Sequence, residues 1–185
     1  MPAPQNTLKV WDGLVRLLHW LLVVSIALAW ISTLGFCLPG MHEPAGWVAL
    51  AGVAIRLVWG FAGSRHARFS GFVRKPQAVR DYALKLRAGQ EPRYIGHNPL
   101  GGWMVLALLA VVAALGLTGW LYTTDAFWGM AWLDRLHAAL AWGLLVLIAG
   151  HIGGVLFTSL RHHENLVSAM FSGRKPAAAP GDIDD

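Results

Sequence analysis

Two histidines lie fourteen residues apart in the last apolar segment of this chain, His137 and His151. Fourteen helical steps return to within about 40° of the starting direction and rise about 21 Å, so one helix face would carry both imidazoles. Two more, His19 and His42, lie on or at the mouth of the first two apolar segments. Low-spin heme iron takes two axial ligands, and neutral imidazoles can supply both. The pattern therefore predicts two stacked hemes, each held between two histidines.

The distance of each histidine from the basic residues that flank its segment predicts an inner pair. His151 lies ten residues before Arg161, and His19 lies ten residues after Lys9. At the helical rise, both lie about 15 Å from the basic edge. We therefore expect His19 and His151 to be the axial ligands of one heme.

The same measure predicts an outer pair. His42 lies 23 residues before Arg65, and His137 lies 24 residues before Arg161. Both are about 35 Å from the basic edge by helical rise, so His42 and His137 should ligate the second heme. Any other pairing would mismatch the depths by most of a bilayer leaflet.

Arg56 lies fourteen residues after His42, on roughly the same helix face and at the depth expected for the inner heme. A guanidinium there could stabilise a heme propionate or balance charge when the inner heme changes redox state. The alternative is that the side chain snorkels toward the inner interface. We interpret Arg56 as cofactor-binding.

The elements that must position these residues are helices in a membrane. The chain has 185 residues, of which 56% are hydrophobic and 14% charged, whereas soluble domains carry roughly 25% charge. Four apolar stretches, 14–34, 44–62, 100–121 and 137–159, approach the ~20 residues that span a bilayer, and such spans are helical. We predict an all-α membrane protein, with a four-transmembrane-helix bundle over residues 1–175 and a disordered tail at 176–185.

Basic residues predict the topology. They concentrate before the first helix, between the second and third, and after the fourth, which places both termini and the long middle loop in the cytoplasm. We interpret the basic balance as this topology signal and expect no nucleic-acid binding. Helical spacing of Val79, Tyr82 and Leu86 predicts a short amphipathic helix in the inner loop. Trp11 is expected to be an interfacial anchor. His97 is expected to cap a helix or to lie in a loop.

The chain has one cysteine, Cys37, which we expect at a bland lipid-facing or loop position. No Cys-x-x-Cys-His sequence is present, so a covalent c-type heme is excluded and any heme must be held noncovalently.

At these residues the chain resembles the bacterial cytochrome b561 and nickel-iron hydrogenase cytochrome b family, over about residues 7–175. The segments that carry the resemblance are 11–20 (WDGLVRLLHW), 56–63 (RLVWGFAG), 67–72 (ARFSGF), 96–102 (GHNPLGG), 151–155 (HIGGV) and 161–170 (RHHENLVSAM). The resemblance implies a four-helix bundle with two b-type hemes and the ligands His19, His42, His137 and His151.

We hypothesise a diheme b-type cytochrome of the bacterial inner membrane that transfers electrons between the quinone pool and a redox partner in a respiratory chain. The resemblance implies partners such as a periplasmic cytochrome c or a hydrogenase-type subunit, besides membrane lipid and quinone. One alternative is a quinol-oxidising enzyme that reduces a small oxidant such as superoxide, for which Trp132, Asp134 and Arg135 are suggestive. Another is a membrane anchor and electron-transfer subunit of a hydrogenase-like or cytochrome c-containing complex. A homodimer stays open, as does enzymatic activity.

Overall fold

The computed structural model describes residues 7–35 and 38–184, and it is mostly helical. Its long helices are α1 (Gly13–Ser32), α2 (His42–Ala62), α5 (Pro99–Tyr122) and α6 (Ala131–Arg161). The shorter elements are β1 (Thr7–Lys9), a 3-10 turn (Arg65–Ala67), α3 (Phe69–Phe72), α4 (Pro76–Arg87), α7 (Leu166–Ser172) and β2 (Arg174–Pro176). The predicted position of Cys37 lies outside the described residues.

Four of these helices, α1, α2, α5 and α6, are long and apolar enough to cross a membrane. This confirms the prediction of a helical protein with four candidate spans. The fourth begins at Ala131, six residues before the predicted boundary, and Asp134 lies in its first turn. A carboxylate there favours the helix because it faces the positive end of the helix dipole, so the polar residues that marked the predicted boundary belong inside the helix.

The chain divides into two compact units. The first comprises Met1–Arg16, Val58–Leu106 and Gly150–Asp185, and we call it the polar unit because it carries most of the ion pairs. The second comprises Leu17–Leu57 and Ala107–Ala149, and we call it the histidine unit because His19, His42 and His137 lie in it.

In the polar unit, α4 matches the predicted amphipathic helix of the inner loop. Pro76 occupies its first turn, where the missing amide proton costs nothing. Tyr82 faces inward and is buried, whereas Leu84 is exposed. The helix therefore has one packed face and one free face, as the spacing of its apolar residues indicates.

A small hydrophobic cluster joins the ends of the polar unit. Val10, Trp11, Ile95 and Ala169 pack together, and all are buried. The indole of Trp11 also lies 4.7 Å from the His97 ring, centre to centre. The expected interfacial role of Trp11 is therefore wrong, since its large apolar ring is buried in this cluster and against His97.

Asp12 ties the start of α1 to the loop after α2. Its carboxylate accepts hydrogen bonds from the Val15 amide at 2.9 Å, the Trp59 indole at 3.1 Å and the Ser64 hydroxyl at 2.5 Å. Burial alone would raise the pKa of Asp12, but these hydrogen bonds outweigh it and hold the pKa below its usual value.

The C-terminal segment is ordered where the structure describes it, in contrast to the predicted disordered tail. Strand β2 pairs antiparallel with β1, so residues 174–176 are part of a two-stranded sheet. Ile183 then exchanges backbone hydrogen bonds with Arg93 and Ile95 at 2.9 Å. Asp184 makes an ion pair with Arg65 at 3.1 Å. These contacts supply the fixed partners that the Ala/Pro/Asp composition of the segment does not reveal.

In the histidine unit, small residues let the helices approach. A Cβ on Gly116 of α5 would lie 2.7 Å from Leu50 Cδ1 of α2, so the absence of a side chain there permits this contact. Outward apolar side chains such as Val24, Ile55 and Val146 are exposed, as expected for surfaces that face lipid rather than water.

Candidate functional site

His42 and His137 face each other in the histidine unit. Their ring centres are 6.0 Å apart, and the ring planes are inclined by 67°. His42 is the first residue of α2, and His137 lies seven residues into α6. The structure therefore brings together the two histidines that helical depth predicted as the outer pair.

The last turn of α1 orients His42. His42 Nδ1 lies 3.0 Å from the Ala29 carbonyl oxygen, and the Ser32 hydroxyl donates to the same oxygen at 2.8 Å. The last four carbonyls of a helix lack intrahelical partners, so this end of α1 offers an acceptor. The Nδ1 atom of His42 is thereby occupied, and Nε2 is the nitrogen left for another ligand.

A threonine of α5 holds His137 in a comparable way. His137 Nδ1 lies 2.8 Å from the Thr118 hydroxyl oxygen, and Thr118 is buried. A Cβ on the neighbouring Gly119 would lie 3.5 Å from His137 Cε1, so this position lies directly beside the ring. Sequence analysis missed Thr118, although it is a hydroxyl in an otherwise apolar helix, and a polar group in a membrane span is a signal of function.

This arrangement fits an iron held between two imidazoles. An imidazole nitrogen binds a transition metal at about 2 Å, so two rings on opposite sides of one metal have centres roughly 6 Å apart. The separation of the His42 and His137 rings agrees with that distance. Metal-bound histidines also hold their second nitrogen in a hydrogen bond, as both rings do here.

Arg56 is buried in the histidine unit, with only 6% of its surface exposed. It lies on the inward face of α2 together with Ala45, Ala49 and Val53, which are also buried. These positions repeat at helical spacing from His42 onward, so Arg56 lies on the helix face that the sequence predicted for it. A guanidinium is rarely buried without a task.

The remaining two predicted ligands lie in different units. His19 is half-buried on α1 in the histidine unit, where its ring meets that of Trp20 edge to face at 5.1 Å. His151 is half-buried on α6 in the polar unit. Next to it, a Cβ on Gly150 would lie 3.5 Å from Met104 Cε. The pairing of His19 with His151 stays a prediction.

His97 is packed between aromatic rings in the polar unit. Its ring centre lies 4.7 Å from that of Trp11 and 4.5 Å from that of Phe72. The cap of α5 is the next residue, Asn98, whose side chain accepts a hydrogen bond from the Gly101 amide at 2.7 Å. The structure thus assigns the expected cap to Asn98 and places His97 in an aromatic contact.

Four helices that could span a membrane and two facing imidazoles with hydrogen-bonded Nδ1 atoms are features expected of a membrane cytochrome that holds heme noncovalently. A sequence profile of prokaryotic cytochrome b561 matches residues 10–173. The chain belongs to this family. It is therefore a multi-pass membrane cytochrome b, a heme protein of electron transport.

Curated relatives agree with this assignment. The probable Ni/Fe-hydrogenase B-type cytochrome subunit of Azotobacter vinelandii is 26% identical to the chain, and the alignment covers 91% of this chain and 88% of that protein. The protein of the same description from Rhizobium leguminosarum is 23% identical, covering 92% and 90%. That from Cupriavidus necator is 24% identical, covering 89% and 85%. No solved structure matches the chain.

Proposed function

We propose that this chain is a diheme electron carrier whose outer heme is ligated by His42 and His137. The observation that carries the proposal is the 6.0 Å approach of the two rings with both Nδ1 atoms hydrogen-bonded. Heme iron, when bound, takes up and releases single electrons. The chain orients both imidazoles for this task through the hydrogen bonds to their Nδ1 atoms.

A second heme, ligated by His19 and His151, completes the proposed path across the membrane. Helical rise separates His137 from His151 by about 21 Å along α6, and porphyrin edges would approach more closely than the irons. We assign Arg56 to a propionate of this inner heme, and its burial on the inward face of α2 supports this role over that of a snorkelling, solvated guanidinium.

Quinone and a redox protein are the proposed electron partners. The relatives are described as hydrogenase cytochrome subunits and align over most of their length, which supports a hydrogenase-type subunit as the redox protein. A periplasmic cytochrome c is the other candidate. The distribution of basic residues supports cytoplasmic termini and location in the bacterial inner membrane.

A quinol-oxidising enzyme that reduces a small oxidant is the second candidate function. The first turns of α6 carry Trp132, Asp134 and Arg135, which are all exposed and lie shortly before His137. These side chains would supply polar and aromatic contacts beside the outer heme. Steady-state oxidation of quinol by the isolated protein, with no redox protein present, would distinguish this candidate from an electron carrier.

Heme content tests the main proposal directly. We expect a reduced-minus-oxidised spectrum of b type and about two hemes per chain when purified protein is quantified as pyridine hemochrome. Expression with ample heme supply removes underloading as a cause of low content. One heme per chain would contradict the diheme proposal, and the absence of heme would contradict ligation by these histidines.

A further inference from the structure

The hydroxyl of Thr118 has a defined direction. Its oxygen lies 2.8 Å from the Ala114 carbonyl, 3.1 Å from the Leu115 carbonyl and 2.8 Å from His137 Nδ1. The geometry of the hydroxyl fits donation of its single hydrogen to the preceding turn of α5, because a carbonyl can only accept. An oxygen lone pair of Thr118 is then available to His137, and we assign Nδ1–H as the donor of that contact.

This assignment gives one tautomer of His137. With the proton on Nδ1, the Nε2 atom carries the lone pair that a metal requires. The two hydrogen bonds also form a chain from imidazole to hydroxyl to backbone carbonyl, in which each bond polarises the next. Thr118 is 6% exposed, so water does not compete for the hydroxyl.

The opposite ring has a different acceptor. His42 Nδ1 faces the Ala29 carbonyl, which also accepts from Ser32 at 2.8 Å. That acceptor is backbone and survives any side-chain substitution. The acceptor for His137 is the side chain of Thr118. A substitution of Thr118 therefore changes the strength of this acceptor without altering either ligand histidine.

We propose that Thr118 is a positioning residue that sets the basicity of His137 Nε2 and thereby lowers the reduction potential of the outer heme. The inference rests on the proposed function of His42 and His137. A hydrogen bond accepted from Nδ1–H raises the electron density of the ring. A more basic ligand stabilises ferric over ferrous iron, so loss of the acceptor should raise the midpoint potential.

Paired substitutions at this position test the hydroxyl separately from its volume. Thr118→Val keeps the branched shape and removes the acceptor, whereas Thr118→Ser keeps the hydroxyl. We expect a redox titration of Thr118→Val to show one heme with a raised midpoint potential and the other unchanged, with wild-type values for Thr118→Ser. The low-spin ferric EPR signal of the same heme should shift as the imidazole loses its hydrogen-bond acceptor.

Thr124→Val is the matched control. The Thr124 hydroxyl donates to the Leu121 carbonyl at 2.7 Å, so the change again removes a hydroxyl bonded to the preceding turn. Both potentials should stay at wild-type values in this variant.

The outcomes separate this inference from the proposed function. Loss of one heme in Thr118→Val but not in Thr118→Ser would also support a hydroxyl that positions His137. Unchanged potentials and EPR in Thr118→Val, or equal heme loss in both variants, would overturn the inference and leave the diheme proposal standing. A wild-type protein without two b hemes would instead overturn the proposed function.

Discussion

The histidine pair of one unit and the ionic cluster of the other hold their polar groups in opposite ways. In the histidine unit, His42 and His137 are held by neutral hydrogen-bond partners, a helix-terminal carbonyl and the Thr118 hydroxyl. In the polar unit, full charges meet. Glu164 and Lys175 have side chains that are 2% and 3% exposed and lie 3.1 Å apart.

The ionic cluster extends beyond that pair. Arg93 lies 3.2 Å from Glu164 and 2.5 Å from Asp182, and the Lys175 ammonium also donates to the Tyr94 carbonyl at 3.2 Å. Burial lowers the pKa of Lys175, and the neighbouring Glu164 carboxylate opposes that shift. These groups neutralise one another and connect loops to the C-terminal segment.

The difference shows that the partners of a polar group decide whether it can bind a ligand or contributes to the stability of the fold. Neutral hydrogen bonds occupy one nitrogen of each imidazole. The other nitrogen is left for a ligand, so the histidine pair can still bind one. In the ionic cluster the opposite charges pair with one another, so the cluster contributes to folding. We therefore expect substitutions in the two regions to have separable effects: loss of cofactor in one and loss of stability in the other.

The largest effect should come from the ligand histidines. His42→Ala and His137→Ala should each reduce heme content from about two per chain to about one, because a six-coordinate heme that loses one ligand is weakly held. The double variant should lose no more than either single one, since both residues would hold the same heme. Pyridine hemochrome quantification and the spectrum of the remaining heme measure this.

His163→Asn provides the control for that experiment. His163 is exposed and has a positive φ of 50°, a conformation that asparagine tolerates. Its heme content should equal that of the wild type. Complete loss of heme in the double variant would mean that the two histidines serve different hemes, and the outer pairing would be wrong.

Composition and periodicity were sufficient to predict the four spans and α4, because apolar length and helical spacing are local properties. The facing of His42 and His137 was also within reach, since depth along a helix follows from residue number. Their hydrogen-bond acceptors were not. The acceptor for His42 is the backbone carbonyl of Ala29 at a helix end, and Thr118 lies nineteen residues from His137. Only the packing of four helices reveals these contacts.

The contacts of the C-terminal segment could not be predicted from its composition. Its Ala, Pro and Asp residues favour disorder when considered alone. Asp182 and Asp184 nevertheless pair with Arg93 and Arg65, which lie 89 and 119 residues earlier in the chain. Burial of Trp11 also arises from partners that are remote in the chain, Ile95 and Ala169. Such long-range contacts have no local sequence signal.

An intermediate effect is expected in the ionic cluster. Lys175→Met should destabilise the protein by about 3 kcal/mol, because removal of one partner leaves a buried carboxylate poorly compensated. Arg93 still contacts Glu164, which keeps the loss near the lower end of the usual range. Thermal unfolding in detergent measures the change, while heme content and midpoint potentials should stay at wild-type values.

Lys85→Met is the control for the loss of a lysine charge, because Lys85 is exposed on α4. Its unfolding temperature should match that of the wild type. If Lys175→Met lost heme in proportion to its loss of stability, heme binding would depend on the ionic cluster. The two regions would then not have independent roles.

The smallest effect should come from Asp12, whose carboxylate caps α1 and accepts from Trp59 and Ser64. Asp12→Asn should cost about 1 kcal/mol near neutral pH, as is typical of a weakened helix cap. The folded pKa of Asp12 lies below its ordinary value of 3.8. Its contribution to stability is therefore complete above that value and is lost as the pH falls through the folded pKa.

The pH dependence distinguishes this role from a general loss of packing. As the pH falls from about 5 to below the ordinary pKa of Asp12, the free energy of unfolding of the wild type should decrease by the contribution of the Asp12 carboxylate. The Asp12→Asn variant should not show this part of the decrease. Asp81→Asn, on the exposed face of α4, should retain the wild-type acid dependence. Equal acid sensitivity of unfolding in Asp12→Asn and the wild type would show that the carboxylate charge contributes nothing, and its hydrogen bonds would then act only through geometry.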